Sequence, residues 1–342
     1  MLSQSIGIVG AGGWGTALAK LLADKGAAVS LWCHSEASFR ELTEHRENRT
    51  YLPGISLPAN IEITHSLEAA VVDKQVVLCA VPSHAVREVF TQAKSKLSPD
   101  TLMLCGTKGL EEGTLKTMGE LFADIFGAAN QERQAFLSGP TFAIEVARGL
   151  PAALTVAAYW QSVARLVQDV LNTPSLRVYT STDIVGVQIG GVVKNVIAIA
   201  AGISDGLGLG QNARAALITR GLAEMTRLAV RMGADSMTLA GLPGLGDLIL
   251  TCAGDLSRNR TVGLQIAGGK SLAEIASATR TVAEGVRNTR SLYLLAERLG
   301  VEMPIVEQMY GVLYAGKRPA EAVRDLMQRS LKSEAGENRR QN

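Results

Sequence analysis

The chain has 342 residues, of which 47% are hydrophobic and 19% charged, and its 34 basic and 32 acidic side chains leave a net charge of +2. This length predicts about two domains, and the balanced charge excludes a protein-wide field for nucleic acid, so we expect no nucleic-acid partner. The four cysteines form no CxxC pair, which predicts reduced thiols in a cytoplasmic protein without a disulfide framework or a metal site. No basic segment precedes the apolar stretch that begins at Ile6, so we expect no signal peptide.

The first thirty residues show the pattern of a dinucleotide-binding unit. A short apolar strand is predicted at Ile6–Val9, then a G-x-G-x-x-G turn, a helix and a second strand at Ala28–Trp32. In such a turn the first glycine (Gly10) makes the tight bend and the second (Gly12) lets backbone N–H groups reach a pyrophosphate. The third (Gly15) lets the helix pack on the strand. The alternative is a glycine-rich turn without a ligand.

The end of the second strand is the place where such sites distinguish NAD from NADP. An acidic residue there binds the ribose 2′-hydroxyl, but this chain has His34. An imidazole beside Arg40 or Arg46 can accept a 2′-phosphate, so we predict NADP(H), with use of NAD(H) left open. The alternative is that His34 is a surface residue and Glu36 contacts the ribose.

Further short apolar segments alternate with helical patterns, which predicts a doubly wound α/β domain. The predicted strands are Ile61–Thr64, Val76–Ala80, Leu102–Cys105, Ala135–Ser138, Leu154–Ala157 and Leu176–Thr180. Lys108 follows one of them, at the sheet edge where ligands of such folds bind. It is either a ligand contact or a solvated loop lysine.

After Thr182 no strand pattern occurs, and we predict an all-helical second domain. Its predicted helices are Ile184–Ile203, Ala213–Met232, Leu272–Ala278, Val282–Leu299, Pro304–Tyr314 and Pro319–Gln328. We therefore divide the chain into a dinucleotide-binding domain (1–183), a helical substrate and catalytic domain (184–331) and a flexible tail (332–342).

The first of these helices contains a lysine in an otherwise apolar run. Of twenty residues, only Gln188, Lys194 and Asn195 have polar side chains. A membrane span is disfavoured, because a central lysine costs about 2.5–3.5 kcal/mol on insertion. Either Lys194 is a core residue that snorkels or pairs with a carboxylate, or it is a catalytic lysine whose pKa burial has lowered.

A polar cluster follows later in the helical part. Ser257, Arg258, Asn259 and Arg260 together offer two guanidinium groups, a hydroxyl and an amide, which suit a phosphate. The alternative is a solvated helix start that Ser257 caps.

With these motifs in hand, the sequence resembles the bacterial NAD(P)-dependent glycerol-3-phosphate dehydrogenases over almost its whole length. The resemblance rests on GAGGWGTALA from residue 10, TKG at 107–109, SGPTFA at 138–143, GGVVKNV at 190–196, NARAALITRGLAEM at 212–225, GLGDLILTC at 244–252, SRNR at 257–260 and EGVRNT at 284–289. It implies reversible reduction of dihydroxyacetone phosphate to sn-glycerol 3-phosphate for glycerophospholipid synthesis. The implied fold is a Rossmann-type doubly wound sheet followed by an all-helical C-terminal domain, as in 6-phosphogluconate dehydrogenase. A homodimer that does not insert into membranes is expected.

The resemblance also implies roles for individual residues. It makes Lys194 the catalytic acid/base, whose pKa burial and Lys108 should lower and Asp247 should raise. The implied substrate contacts are Lys108, Gly139, Thr141, Lys194, Asp247, Ser257, Arg258 and Asn259. The implied dinucleotide contacts, beside Gly10, Gly12 and Gly15, are Gly13, Trp14, His34, Lys108, Ala143, Arg258, Val282 and Glu284.

Two positions depart from the family pattern. Gly13 stands where many members have serine, which removes a hydroxyl from the pyrophosphate turn, and His34 alternates with arginine in such enzymes. Two other functions stay open: a related dehydrogenase of a hydroxyacid or sugar acid, which the cluster at 257–260 argues against, and a non-catalytic dinucleotide sensor, which needs no buried lysine.

Overall fold

The computed structural model describes residues 5–278, 283–331 and 333–334. Eight strands form one sheet: β1 (Ser5–Val9), β2 (Ala28–Trp32), β3 (Ile61–Thr64), β4 (Val76–Cys79), β5 (Leu102–Cys105), β6 (Gln134–Ser138), β7 (Ala152–Ala158) and β8 (Leu176–Ser181). All eight predicted strands are present, each within two residues of its predicted ends.

The sheet order is β3-β2-β1-β4-β5-β6-β7-β8. Strands β1 to β6 are parallel, β7 runs antiparallel to β6, and β8 runs parallel to β7. The chain leaves β1 towards β2 and β3, then returns to the other side of β1 with β4. Such a reversal opens a crevice at the carboxyl ends of β1 and β4, which is where ligands of doubly wound sheets bind.

Seven helices accompany the sheet, and nine follow it in the described residues. The first group is α1 (Gly13–Asp24), α2 (Glu36–His45), α3 (Leu67–Val71), α4 (Val86–Ala93), α5 (Met118–Phe126), α6 (Ala143–Ala147) and α7 (Gln161–Leu171). The second group is α8 (Ile184–Gly206), α9 (Gly210–Arg231), α10 (Ser236–Ala240), α11 (Asp247–Ala253), α12 (Arg258–Ala267), α13 (Leu272–Ala278), α14 (Glu284–Leu299), α15 (Pro304–Tyr314) and α16 (Pro319–Met327). The predicted fold class, a Rossmann-type sheet followed by helices, is confirmed.

One part of the helical domain had no predicted helix boundaries. Gly241, Gly244, Gly246 and Gly254 interrupt the helical pattern there. The structure forms α10 before Gly241, a π-helical turn at Leu242–Gly246, α11 between Gly246 and Gly254, and α12 after Gly254. The predicted start of α14 at Val282 lies outside the described residues, and the division of the chain at residue 183 stays a prediction.

The centre of the helical part is α8. Among the described helices it is the one long and apolar enough to suit a membrane span, yet 89% of its most apolar window is buried inside the protein. Its glycines allow close packing. A Cβ at Gly190 would lie 2.3 Å from the carbonyl oxygen of Pro243, and one at Gly202 would lie 2.0 Å from that of Arg260. The helix α8 is therefore buried in the core of the helical part, where the backbones of neighbouring segments contact it, and the role of Lys194 stays a prediction.

Candidate active site

A cavity of about 1200 Å³ lies between the carboxyl edge of the sheet and the helical part. It brings together residues predicted for both ligands: Gly13, Trp14, Lys108, Thr141, Ala143, Lys194, Asp247, Ser257, Arg258, Asn259 and Glu284. Gly10, Gly12, Gly15, Gly139 and His34 do not line it, and Val282 lies outside the described residues. One end of the cavity is thus the glycine-rich turn, and another is the lysine of α8.

The glycine-rich turn has the geometry that its spacing predicts. Gly10 adopts a φ of +121°, which side chains rarely tolerate, and a Cβ at Gly15 would lie 1.9 Å from the carbonyl oxygen of Gly10. No atom lies within 4 Å of the Cβ position at Gly12, which caps the N-terminus of α1. The tight turn and the close helix packing therefore leave open the one glycine over which a pyrophosphate could approach the helix N-terminus.

The residues after β2 that could contact a ribose or a 2′-phosphate differ in their exposure and in their partners. His34 is exposed, with its ring edge-on to Trp32 at 5.7 Å. Arg40 pairs with Glu36 at 2.6 Å on the surface. Arg46 donates to the carbonyl oxygens of Ile61 and Pro58, so its guanidinium is occupied by backbone and is a poor candidate for a 2′-phosphate.

The strongest charge cluster of the cavity joins two lysines through one carboxylate. Lys194 Nζ donates to Asp247 Oδ1 at 2.5 Å, and Lys108 Nζ donates to Asp247 Oδ2 at 2.7 Å. Lys108 also donates to the carbonyl oxygen of Gly139 at 3.3 Å, which Thr141 Oγ1 contacts from the other side at 3.1 Å. Three segments widely separated in sequence thus meet at Asp247, the first residue of α11.

Thr251 is a site residue that the sequence analysis missed. Its hydroxyl donates to the carbonyl oxygen of Asp247 at 2.6 Å and accepts from Lys194 Nζ at 3.1 Å. It lies one helical turn after Asp247 and lines the cavity. The spacing i, i+4 within one motif places both side chains on the same helix face, and that signal could have identified it.

Burial and charge oppose each other in this cluster. Burial lowers the pKa of Lys194 to about 8, while the charge of Asp247 raises this pKa and that of Lys108 lowers it. Burial also opposes ionisation of Asp247, but the two ammonium groups outweigh it and keep the pKa of that carboxyl below its usual value. Burial raises the pKa of Glu284, against the opposing charges of Arg258, Lys108 and Lys194. The direction predicted for Lys194 is thus confirmed.

The start of α12 supplies a different chemistry. Ser257 caps the helix by accepting from the N–H of Arg260 at 3.2 Å, so the capping alternative is correct for this hydroxyl. Ser257, Arg258 and Asn259 nevertheless line the cavity, whereas Arg260 turns away to pair with Asp205 of α8 at 2.8 Å. The expected pair of arginines is therefore reduced to Arg258, at a helix N-terminus that favours anions.

Asn259 is held by a chain of hydrogen bonds across three helices. Its Nδ2 donates to Asn195 Oδ1 at 2.9 Å, and its Oδ1 accepts from the N–H of Gly285 at 2.9 Å. Asn195 in turn donates to the carbonyl oxygen of Gly191 on its own helix at 3.2 Å. The amide of Asn259 is thus oriented by α8 and α14 before any ligand arrives.

Two family models cover this chain: the N-terminus of NAD-dependent glycerol-3-phosphate dehydrogenase matches residues 5–164, and its C-terminus matches residues 183–324. The chain belongs to the NAD-dependent glycerol-3-phosphate dehydrogenase family. It is similar to the glycerol-3-phosphate dehydrogenase [NAD(P)+] of Citrifermentans bemidjiense, with 52% identity over 97% of this chain and 99% of the relative. It is also similar to the enzyme of that name from Anaeromyxobacter dehalogenans, with 54% identity over 96% of this chain and 98% of the relative.

A crystal structure of the glycerol-3-phosphate dehydrogenase from Coxiella burnetii matches with a TM-score of 0.91 and 40% identity, over 96% of this chain and 99% of that one. Both halves of the glycerol-3-phosphate dehydrogenase family pattern are therefore present, and the family predicted from the motifs is confirmed. Among the described residues, no group of three or more His, Cys, Asp or Glu side chains could hold a metal ion.

Proposed function

We propose that this protein is an NAD(P)-dependent oxidoreductase that reversibly reduces dihydroxyacetone phosphate to sn-glycerol 3-phosphate, the backbone of glycerophospholipids. The observation that carries the proposal is the cluster of Lys194, Asp247 and Lys108, which opens on the same cavity as the glycine-rich turn and the start of α12. Relatives at 52% and 54% identity, named glycerol-3-phosphate dehydrogenase [NAD(P)+], support the substrate and the cofactor pair.

The residues present fit a dinucleotide. The open position over Gly12, at the start of α1, suits a pyrophosphate, and Gly13, Trp14 and Ala143 line the adjoining cavity wall. Gly10 and Gly15 shape the turn, His34 follows β2, and Glu284 and Arg258 line the same cavity. When bound, the reduced nicotinamide supplies the hydride. We expect NADP(H) as the main cofactor, with NAD(H) also accepted.

Lys194 is the proposed proton donor. Ketone reduction leaves an alkoxide, and the Nζ of Lys194 gives it the proton that completes the alcohol. A pKa of about 8 places this ammonium close to neutrality, where it is protonated but releases its proton readily. Asp247 and Thr251 hold Nζ from two sides at 2.5 and 3.1 Å, which fixes the direction of transfer.

The cluster also has a surplus of positive charge. Two ammonium groups share one carboxylate, so the surroundings of the reacting carbonyl favour a developing negative charge. Lys108, which also contacts the carbonyl oxygen of Gly139, is the second proposed substrate contact beside Thr141. Lys194 and Asp247 are buried, and charge interactions between buried groups are stronger than in water.

The phosphate of the substrate is proposed to bind at the start of α12. Arg258 offers a forked donor, Ser257 and Asn259 add neutral groups, and the helix N-terminus adds positive potential. Anchoring the phosphate there fixes the carbonyl relative to Lys194 and so lowers the entropic part of the barrier.

The decisive experiment follows oxidation of NADPH and NADH by absorbance, with dihydroxyacetone phosphate and, as the matched control, unphosphorylated dihydroxyacetone. We expect fast oxidation with the phosphorylated ketone alone, and faster oxidation of NADPH than of NADH. Reduction of NADP+ or NAD+ by a hydroxyacid or a sugar acid, without oxidation of NADPH by the phosphorylated ketone, would support the related dehydrogenase. Tight binding of NADPH without turnover on any substrate would support a sensor.

The proposed assembly is a cytoplasmic homodimer. The first half of α9 carries exposed small residues, among them Ala215, Ala216 and Thr219, beside the exposed Leu209, which forms a surface suited to a second copy. Ala216→Glu should convert a dimer into a monomer in size-exclusion chromatography with light scattering, while Thr226→Ser on the same helix should not. A monomeric wild-type protein would refute the dimer.

A further inference from the structure

The segment after α2 folds back over the glycine-rich turn. Five of its residues line the cavity next to Gly13 and Trp14: Arg49, Thr50, Tyr51, Leu52 and Pro53. None of the functional motifs in the sequence includes this segment. It forms part of the cavity wall beside the start of α1, so its distance from the turn affects how much room a dinucleotide has.

Asn48 ties this segment to the turn. Its side chain is 1% exposed, and its Nδ2 donates to the carbonyl oxygen of Ala11 at 2.9 Å and to Thr16 Oγ1 at 2.8 Å. Its Oδ1 accepts from the N–H of Tyr51 at 3.1 Å, and its carbonyl oxygen accepts from the N–H of Leu52 at 2.8 Å.

The amide orientation of Asn48 follows from these partners. The carbonyl of Ala11 can only accept and the N–H of Tyr51 can only donate, so each end of the amide has a single compatible neighbour. One buried side chain therefore joins the glycine-rich turn, the first turn of α1 and the segment above them.

The segment approaches the start of α1 closely at Gly13. A Cβ there would lie 2.9 Å from the carbonyl oxygen of Tyr51, nearer than real Cβ atoms approach an oxygen. The segment cannot withdraw without breaking the bonds of Asn48. A side chain at position 13 would therefore have to displace the segment that Asn48 holds.

We propose that Asn48 is a positioning residue for dinucleotide binding, which holds residues 49–53 at a fixed distance from the glycine-rich turn. The proposal rests on the proposed function only in taking this end of the cavity as the dinucleotide site. Asn48 has no part in the chemistry at Lys194, so its loss weakens cofactor binding and leaves the chemical step unchanged.

The test compares Asn48→Ala and Asn48→Asp with Asn60→Ala in the full-length protein. Asn60 is the matched control, because its Nδ2 donates to the carbonyl oxygens of Ala23 and Ala27 at the other end of α1, and it does not line the cavity. We measure the Kd of NADPH by its fluorescence, the KM of dihydroxyacetone phosphate, kcat at saturating NADPH, and Tm.

Both Asn48 variants should raise the Kd of NADPH by about tenfold or more, a shift of at least about 1.4 kcal/mol. Their kcat and ketone KM should stay within about twofold of the wild type. Asn60→Ala should lower Tm at an unchanged Kd. An unchanged Kd in the Asn48 variants, or an equal rise in Asn60→Ala, would overturn the proposal, since a general loss of stability would then explain the result.

A second pair of variants keeps the test valid if Asn48→Ala does not fold. Thr16→Ser retains the hydroxyl that accepts from Asn48 and should keep the wild-type Kd, whereas Thr16→Val removes it and should raise the Kd. Equal Kd values for the two would contradict the proposal. Because the readout is NADPH binding, a wild-type protein that binds NADPH but does not reduce the ketone would refute the proposed function and leave this test intact.

Discussion

Two buried carboxylates in the helical part have pKa values shifted in opposite directions. Asp247 in the cavity is 1% exposed, and Glu224 on α9, away from the cavity, is 2% exposed. Lysine ammonium groups hold the pKa of Asp247 below its usual value despite burial. Burial raises the pKa of Glu224 to about 7, because its partners are the backbone N–H groups of Ile305 and Val306, at 2.8 and 3.4 Å, and not a contacting cation.

The difference shows how the surroundings of a buried carboxylate set its charge. Burial alone pushes a carboxylate towards its neutral form, and the two N–H donors at the start of α15 do not reverse that effect. The cavity keeps its carboxylate charged by placing two ammonium groups on it, and in return each lysine is held in place. The charge of Asp247 is thus kept beside the two lysines of the proposed site, whereas Glu224 accepts from N–H groups at the start of α15.

Removing the ammonium group of Lys194 is the strongest test of the comparison between Asp247 and Glu224. In Lys194→Ala we expect kcat for ketone reduction to fall by about 10²–10⁴, the usual contribution of a positioned acid, with NADPH binding nearly unchanged. Stopped-flow turnover and a binding titration measure the two. Lys194→Arg keeps the positive charge beside Asp247 but is a poor proton donor, so it should be almost as slow. A near-wild-type rate in Lys194→Ala would refute the role.

Neutralising Asp247 tests the other half of the cluster. In Asp247→Asn the side chain keeps its shape, but both ammonium groups lose their anchor, and we expect kcat to fall by about 10²-fold. The wild-type rate of ketone reduction should decline above about pH 8, where Lys194 loses its proton. Because the charge of Asp247 raises that pKa, the decline should move to lower pH in the variant. A decline that stays in place would show that Lys194 is not the titrating group.

A variant of Arg258 tests whether this guanidinium binds the phosphate of the substrate. In Arg258→Ala we expect the KM of dihydroxyacetone phosphate to rise by about 30- to 150-fold, corresponding to about 2–3 kcal/mol for a lost charged contact, with kcat much less affected. Arg260→Ala is the matched control, since that guanidinium pairs with Asp205 outside the cavity. Arg260→Ala should lower Tm and leave the KM of dihydroxyacetone phosphate nearly unchanged. Equal KM values for wild type and Arg258→Ala would rule out the phosphate site.

The fold could be predicted from the sequence because its signals are local. Largely apolar segments of four or five residues predicted every strand, and the glycine-rich turn after Val9 predicted the position of the cavity at the sheet edge. The bounds of α10 to α12 were not predicted, because glycines at 241, 244, 246 and 254 hide the helical period, and only a helix start capped by Ser257 was considered as an alternative. The backbone of this part of the chain contacts α8 at Pro243 and Arg260, which no local pattern reveals.

The site was predicted less completely. The motifs and the resemblance indicated Lys194, Lys108 and Asp247, and also the directions in which they shift the pKa of Lys194, but not the hydrogen bonds that join them. The pairing of Asp247 with Lys108 spans 139 residues, and the turning of Arg260 towards Asp205 depends on how α12 lies against α8. Asn48 was missed for the same reason: a lone asparagine after a helix is ordinary, and only its burial against the glycine-rich turn makes it informative.

The smallest expected effect concerns Glu224 itself. Its pKa in the folded protein, about 7, is above the 4.5 of the free group, so folding favours the neutral form and stability falls as pH rises through that window. Glu224→Gln is neutral at every pH and keeps one oxygen for the N–H of Ile305. We therefore expect the wild type to lose about 1–3 kcal/mol relative to this variant between pH 5 and 8, a few degrees in Tm. If the wild type and Glu224→Gln instead followed parallel curves, Glu224 would be charged throughout, and burial without a contacting cation would not be what separates it from Asp247.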